Sequence, residues 1–486
     1  MRTRALRVVV LTCGRHELNG KECLSMKPTR SSSTPDADGD ARCPGESVQD
    51  VYREDTNEPP AFLRETVSTS IGGGALPTNV YTSPDYHRLE LERMWSRVWQ
   101  VACREEDIPE VGDHVVYEIG ETSLIVIRST PDEIRAYHNS CLHRGTLLRE
   151  DGGRISRIRC PLHSFTWNLN GEVEKITCPW DFPDLNEDDL RLPEARVDEW
   201  GGFVFVNLDS DAGALSEYLE RVPQDFARWP LEDRYTAAHA GKVLECNWKI
   251  AIEAFIEVFH VIGIHPQSLP LFGDANAQYD VWPGQRHTSR MINLSGVASP
   301  HTEGSYSEQR ILDEAANFGL CEAASAVPEG ARARDVIVSA MRERLGNDLG
   351  IDTSGLSDTE ILDVIQYHVF PNLVIFGGLG SPLVYRVRPF GDDPNRCYFE
   401  VRLLLPVPDG TARPPAAPLV ELQANQLWSS VDAFGYFGPI LDQDFETMPR
   451  VQRGLRASKT RRARLGNYQE SRIRLMRQTL DEYVDD

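Results

Sequence analysis

The spacing of apolar and polar positions changes character along the chain, and the changes divide it. Residues 1 to about 70 show no sustained period; Ser, Pro, Asp and Gly recur, and Ser31-Ser32-Ser33-Thr34-Pro35 reads as a linker. A disordered, low-complexity extension is expected over 1–70, with Met26 as an alternative start. Order is expected from Leu76-Pro77, and 71–97 reads as a helical segment packing on the later domain. Its helix covers 84–95, with Ser83 as cap and Pro84 in the first turn. From 98 to 208 the period shortens to that of strands, at 115–119, 123–127, 134–139 and 202–207, with Gly, Asp and Pro between them. One small antiparallel β domain follows.

Over 209–486 helical and strand patterns mix. Helices are expected at 215–222 and 247–263, a polar stretch covers 296–360, and strands are expected at 373–377, 383–389 and 397–405 before terminal helices. Ser357-Asp358-Thr359-Glu360 is a capping box that should open a helix through Gln366. The chain is therefore α+β, with a β domain first and a mixed domain second.

Two groups of residues carry chemistry. In the β domain, Cys141-Leu142-His143 and Cys160-Pro161-Leu162-His163 each offer one thiolate and one imidazole. Structural zinc sites usually group cysteines before histidines. One Cys and one His per loop suits a [2Fe–2S] cluster, with Cys141 and Cys160 on one iron and His143 and His163 on the other. Gly145, Gly152, Gly153 and Gly171 are expected to let backbone N–H groups approach the sulfurs. In the second domain, Glu253, Glu257 and His260 are spaced to share one face of the expected helix. His265 would point about 140° away from His260 on a regular helix, but Gly263 and Pro266 release it from helical geometry. Two such histidines and one carboxylate make the facial triad of non-haem iron(II) oxygenases.

The first group, with Arg144-Gly145 and Trp167, resembles the Rieske domain of the ring-hydroxylating oxygenase large (α) subunits. The resemblance runs from near Leu76 to near the C-terminus. It implies a Rieske domain followed by a helix-grip (START/Bet v1-like) catalytic domain, a Rieske cluster and one mononuclear Fe(II) per chain. Gln452-Arg453-Gly454-Leu455 matches a late family motif and puts Asp444 in the third iron-ligand position, with Asp442 in reserve. The resemblance also casts Glu257 as the bridge from His163 of one subunit to His260 of the next. Departures are Ser164-Phe165 for Gly-Trp, Glu257 for Asp, Ala254 for Asn and Phe259 for Tyr. Ala254, Phe255, Phe259, Ile262 and Phe376 are expected to line an apolar pocket. Hydroxylation of a small hydrophobic, aromatic substrate is the first reading, by dioxygenation or monooxygenation. Oxidation or demethylation of a quaternary amine or a methoxy or N-methyl substrate is the second. The family's electrons come from NAD(P)H through a separate flavin reductase, with or without a ferredoxin, to a homotrimer or an α3β3 assembly with a small subunit.

Composition narrows the alternatives. A formal charge of −23 over 486 residues excludes nucleic acid as the expected partner. Ten basic residues against one acid, Glu470, between 450 and 477 mark either a docking face for an acidic electron donor or a solvated helix side. Ten scattered cysteines fit a reducing compartment. The early apolar run, 8–11, is too short for a membrane span or signal core, so a cytoplasmic location is expected. Rivals from other classes are a Rieske electron carrier and a hydrophobe-binding helix-grip protein without the second iron.

Overall fold

The first β unit is a sheet built by adding strands to a hairpin. The computed structural model describes residues 43, 46–67, 71–183, 185–302, 306–322 and 326–485. Strands β1 (Gln100–Arg104), β2 (Asp113–Ile119), β3 (Thr122–Thr130), β4 (Glu133–His138), β5 (Glu194–Trp200) and β6 (Phe203–Asn207) run in the order β1-β6-β5-β4-β3-β2. The short strand Gly153–Arg154 closes the β2 edge. A second, three-stranded sheet of Ile158–Arg159, Thr166–Trp167 and Val173–Lys175 packs on it through Ile125, Ile127, Tyr137, Phe165 and Trp167. Each of the two cysteine–histidine loops therefore springs from a strand end.

The second unit is an eight-stranded sheet. It comprises β7 (Arg234–Leu244), β8 (Gln278–Asp280), β9 (Thr288–Asn293), β10 (Val364–Val369), β11 (Leu373–Gly377), β12 (Leu383–Pro389), β13 (Cys397–Pro406) and β14 (Val420–Leu422). The order is β8-β9-β10-β11-β12-β13-β7-β14, with only the β7–β14 pair parallel. Side chains alternate between its faces. One face carries Phe376, Tyr385 and Phe399 toward the helices; Tyr385 lies 4.5 Å from Phe255 between ring centroids. The other carries a buried ionic network toward β1: Glu400 is 2.8 Å from His239 and pairs with Arg386, and Arg402 reaches Asp107 at 2.7 Å. Arg386 also donates to the Val101 carbonyl of β1. Burial opposes the charge on Glu400, but Arg386 and His239 prevail and hold its carboxyl well below the usual range. This network joins the two units.

Several expectations change. Within 46–67 the chain is ordered: α1 (Val48–Tyr52) has a complete Ser47–Asp50 capping box and buries Val48, Val51 and Tyr52. Its apolar residues find partners distant in sequence, which composition cannot show. The linker at 31–35 and Met26 lie outside the described residues. Helix α2 (Pro84–Glu90) starts where expected, its Ser83 Oγ accepting from the Tyr86 N–H. The helix expected over 247–263 breaks into α3 (Trp248–Glu253) and α4 (Val261–Ile264). The 296–360 stretch folds into α5 (Glu308–Asn317), α6 (Ala333–Leu349) and α7 (Asp358–Leu362) around their own core, including Ile311, Ile337, Met341 and Ile361. The capping box at Ser357 opens α7 as expected, yet that helix stops at Leu362 and β10 follows directly. The terminal helices are α8 (Phe437–Ala457) and α9 (Ser471–Asp485).

Candidate metal centres

The two Cys–His loops meet at one point. Cys141 and Cys160 are buried with their thiols in contact, and the rings of His143 and His163 lie edge to face at 4.8 Å between centroids. The Nδ1 atoms of both histidines are buried and have no hydrogen-bond partner among the described residues. A buried polar atom without a partner is costly, and two aimed from adjacent loops beside two thiols fit a pair of irons. Burial works against a Cys160 thiolate, but the N–H groups of His163 and Leu162 outweigh it and lower the thiol below its ordinary range. Burial prevails at Cys141 and raises that thiol, although the N–H groups of His143 and Arg144 point at it. The loops' own N–H groups therefore serve the sulfurs. Gly171 has another duty, since a Cβ there would stand 2.6 Å from the Tyr137 ring. At the departure from the family pattern, Ser164 takes the left-handed region at φ 64° and Phe165 is buried in parallel stacking on His143, 5.1 Å away.

The second constellation brings together residues far apart in sequence. His260 caps α4 at its N-terminal end, His265 follows its last turn, and Asp444 projects from α8. One ligand atom from each lies within 4.8 Å of the others. The Nε2 atoms of both rings face Asp444 Oδ1, at 3.6 Å from His260 and 2.8 Å from His265. Each Nδ1 is held from behind: that of His260 lies 2.8 Å from Glu257 Oε1, and that of His265 lies 2.7 Å from Gln443 Oε1. Metal-binding imidazoles are oriented by such outer partners. The donor set, two imidazole nitrogens and one carboxylate with both rings pre-aimed, fits a mononuclear iron. Burial disfavours a charged His260, but Glu257 and Asp444 outweigh it and push the metal-free imidazole up to about 9. An ion at Nε2 would replace that proton.

The remaining expected site residues separate. Glu257 is buried, and its Oε2 also accepts the backbone N–H of His260 at 3.0 Å. Glu253 does not share its face: α3 ends there, and its carboxylate accepts from Tyr81 Oη at 3.0 Å, inside the protein. Asp442 is not at the triad, because it accepts the N–H of Trp428 at 2.6 Å. Phe255 and Phe376 are buried against Tyr385, and Ala254 is half-buried against the same core. Ile262 is half-buried, while Phe259 is 44% exposed and so does not line an enclosed pocket. No spacing in the sequence points to the Gln443 amide, although its neighbour Asp444 occupies the matched ligand position. Of the basic stretch, Arg472, Arg474 and Arg477 are buried, whereas Arg453, Lys459, Arg461, Arg462 and Arg464 are exposed.

Comparison with known proteins bears on both centres. The family model for the Rieske [2Fe-2S] domain matches residues 98–185, and that for the ring hydroxylating alpha subunit (catalytic domain) matches 224–486. The chain is 28% identical over 256 residues to the glycine betaine monooxygenase oxygenase subunit of Chromohalobacter salexigens, covering 51% of this chain and 56% of the relative. It is 31% identical over 201 residues to the biphenyl 2,3-dioxygenase subunit alpha of Rhodococcus jostii, covering 38% and 42%. The chain thus spans about half the length of the curated relatives it matches. In fold it is similar to the crystal structure of the quaternary ammonium Rieske monooxygenase CntA with an inhibitor, at a TM-score of 0.60 and 15% identity, over 86% of this chain and 99% of that one.

Proposed function

Because the chain belongs to the ring-hydroxylating alpha-subunit family and carries a Rieske domain before the catalytic domain, we propose that it is the oxygenase component of a Rieske-type system. Cys141, His143, Cys160 and His163 would hold the [2Fe–2S] cluster, and His260, His265 and Asp444 the mononuclear iron. Once bound, the cluster would supply electrons one at a time and the iron would supply oxygen-activating redox chemistry. The chain's own contribution is positioning. Glu257 fixes the ring of His260, Gln443 fixes that of His265, and both Nε2 atoms are left to face Asp444. That convergence, of groups up to 184 residues apart, is the observation that carries the reading.

A quaternary amine is the favoured substrate class, and an aromatic hydrocarbon the second. The amine reading draws on the glycine betaine and choline monooxygenases among the relatives and on Glu257, which stands where the family normally has Asp. The aromatic reading keeps the support of the buried Phe255 and Phe376. Electrons reach the cluster from NAD(P)H through a separate reductase, with or without a ferredoxin, and the protein works in the cytoplasm. No helix among the described residues is long and apolar enough to cross a membrane.

Assembly as a homotrimer, with or without a small subunit, would set the cluster of one copy against the iron of another through Glu257 and His163. Exposed apolar residues beside each centre favour it: Leu162 and Trp180 are 53% and 79% exposed near the cluster, and Phe259 is 44% exposed beside His260. The experiment is substrate-dependent O₂ uptake by the iron-loaded protein with a surrogate reductase, over quaternary amines and aromatics. His260→Ala is expected to abolish uptake and leave the cluster's visible spectrum intact. Loss of that spectrum in the variant, or two rather than three irons per wild-type chain, would count against the two-centre reading.

A further inference from the structure

On the first turn of α9, Arg472 is fully buried, and none of its partners among the described residues is a carboxylate. Arg290 and Arg402, buried around the same sheet, and the half-buried Arg386 each face one. Arg472 donates only to neutral acceptors: Ser289 Oγ at 3.0 Å, the Ile256 carbonyl at 3.1 Å, Gln366 Oε1 at 2.7 Å and, weakly, the Ser289 carbonyl at 3.4 Å. Burial lowers the guanidinium to about 9, which leaves it charged at neutral pH. Asp280 acts on it through space but is paired directly with Arg290, and a buried charge without a carboxylate in contact is a standing cost to the fold.

The place where it sits gives that charge a use. Its contacts are Ile256, directly before Glu257, and Gln366, whose Nε2 donates to the Phe255 carbonyl at 2.8 Å. The guanidinium therefore underlies the segment that leads into His260. A second unsatisfied group shares the location. His368 pairs across the sheet with Ser289 and shares the face of Gln366, two residues away. Its Nε2 is buried and has no hydrogen-bond partner among the described residues.

We propose that Arg472, with Gln366 and His368, is the anion-receiving end of the substrate pocket, and that the substrate carries a carboxylate remote from the carbon that is oxidised. This deepens the proposed function and rests on its placement of the iron at His260, His265 and Asp444. An arriving carboxylate would replace neutral acceptors on the guanidinium with charge-assisted bonds, which are roughly twice as strong. It would also meet the His368 imidazole, which donates in one tautomer.

The test compares ligands that differ at that end, by calorimetry on the anaerobic iron-loaded protein. One pair is trimethylglycine and choline; the other is benzoate and benzyl alcohol. The carboxylate member of at least one pair should bind about tenfold or more tightly, as expected for a charge-assisted pair in a buried site. That preference should vanish in Arg472→Met and persist, weakened, in Arg472→Lys. Absence of a preference in both pairs with the wild-type protein overturns the proposal, whether or not the variants fold. An undiminished preference in Arg472→Met overturns it as well. O₂ uptake followed in parallel separates the two levels: uptake with benzoate alone sinks the amine reading, while a carboxylate preference there still supports Arg472.

Discussion

Replacing Gln443 by Leu removes one hydrogen-bond acceptor and little volume, and it isolates the outer support of the proposed iron site. In the wild type, Gln443 Oε1 lies 2.7 Å from His265 Nδ1 and also accepts from Gln267 Nε2 at 2.7 Å. Gln267 is half-buried and can turn to water, but His265 is 4% exposed and cannot. Its Nδ1 proton would be left unpaired, at about 1–3 kcal/mol. Loss of such a partner typically weakens metal binding about 10–100-fold, or roughly 1.4–2.7 kcal/mol, the same range reached from the other direction. The assay is iron retention against a graded chelator, with the cluster's absorbance as internal standard. Asp442→Asn is the neighbouring control: that carboxylate serves the N–H groups of Trp428 and Ser429, so its loss should cost about 1 kcal/mol of stability and no iron. Wild-type iron retention by Gln443→Leu, or equal loss in Asp442→Asn, would refute the assignment of Gln443 as the support of His265.

Further outcomes concern stability. Burial raises Glu253 from 4.5 to about 7, so between those values the native chain holds a proton that the unfolded chain releases, and stability falls as pH rises through that window. Glu253→Gln keeps an acceptor for Tyr81 and should flatten the slope, adding up to about 3 kcal/mol at pH 8 in denaturant titrations. Asp363 pairs with the buried Arg334 at 2.6 Å and accepts the Ser295 N–H; Asp363→Ala should cost about 3 kcal/mol by the same measurement, because it removes the closer of two carboxylates from a buried guanidinium and leaves Asp55, 3.7 Å away, as the other. Ser164 stands at φ 64°, where a side chain is strained by about 1–2 kcal/mol. Ser164→Gly should therefore delay thermal bleaching of the cluster, and earlier bleaching would show that its hydroxyl, which accepts from Arg159 at 2.9 Å, matters more than the backbone strain.

How far the sequence could be read depended on how local each feature is. Cys141 to His163 is one hairpin's worth of chain, so the first centre was legible as four residues at a spacing. His260 and His265 were legible for the same reason. Asp444 lies 179 residues beyond His265, and only a matching late motif led to it. Gln443 offered no spacing at all; it acquires meaning only when α8 is laid against α4. The strands that were missed show the same limit. β7 includes Ala238, Ala240 and Gly241, poor strand formers, and is held by its neighbours β13 and β14. Gly241 is there for closeness, since a Cβ would stand 2.1 Å from Tyr398 Oη.

The broken helix between Glu253 and Val261 is the most instructive miss, because every local signal favoured continuity. Ala254 is a strong helix former, and the apolar period runs on through Phe259. What ends the helix is tertiary. Phe255 turns onto the sheet, 4.5 Å from Tyr385 and 5.1 Å from Phe399, and its carbonyl accepts from Gln366. Further on, Glu257 Oε2 takes the His260 N–H that the helical ladder would have used. The same carboxylate grips the His260 ring. A regular helix would have left Glu257 and His260 on one face but pointed His265 away from both. Breaking it lets one side chain replace a ladder hydrogen bond and aim an imidazole at once, so the irregular backbone is the means by which His260 and His265 come to face Asp444.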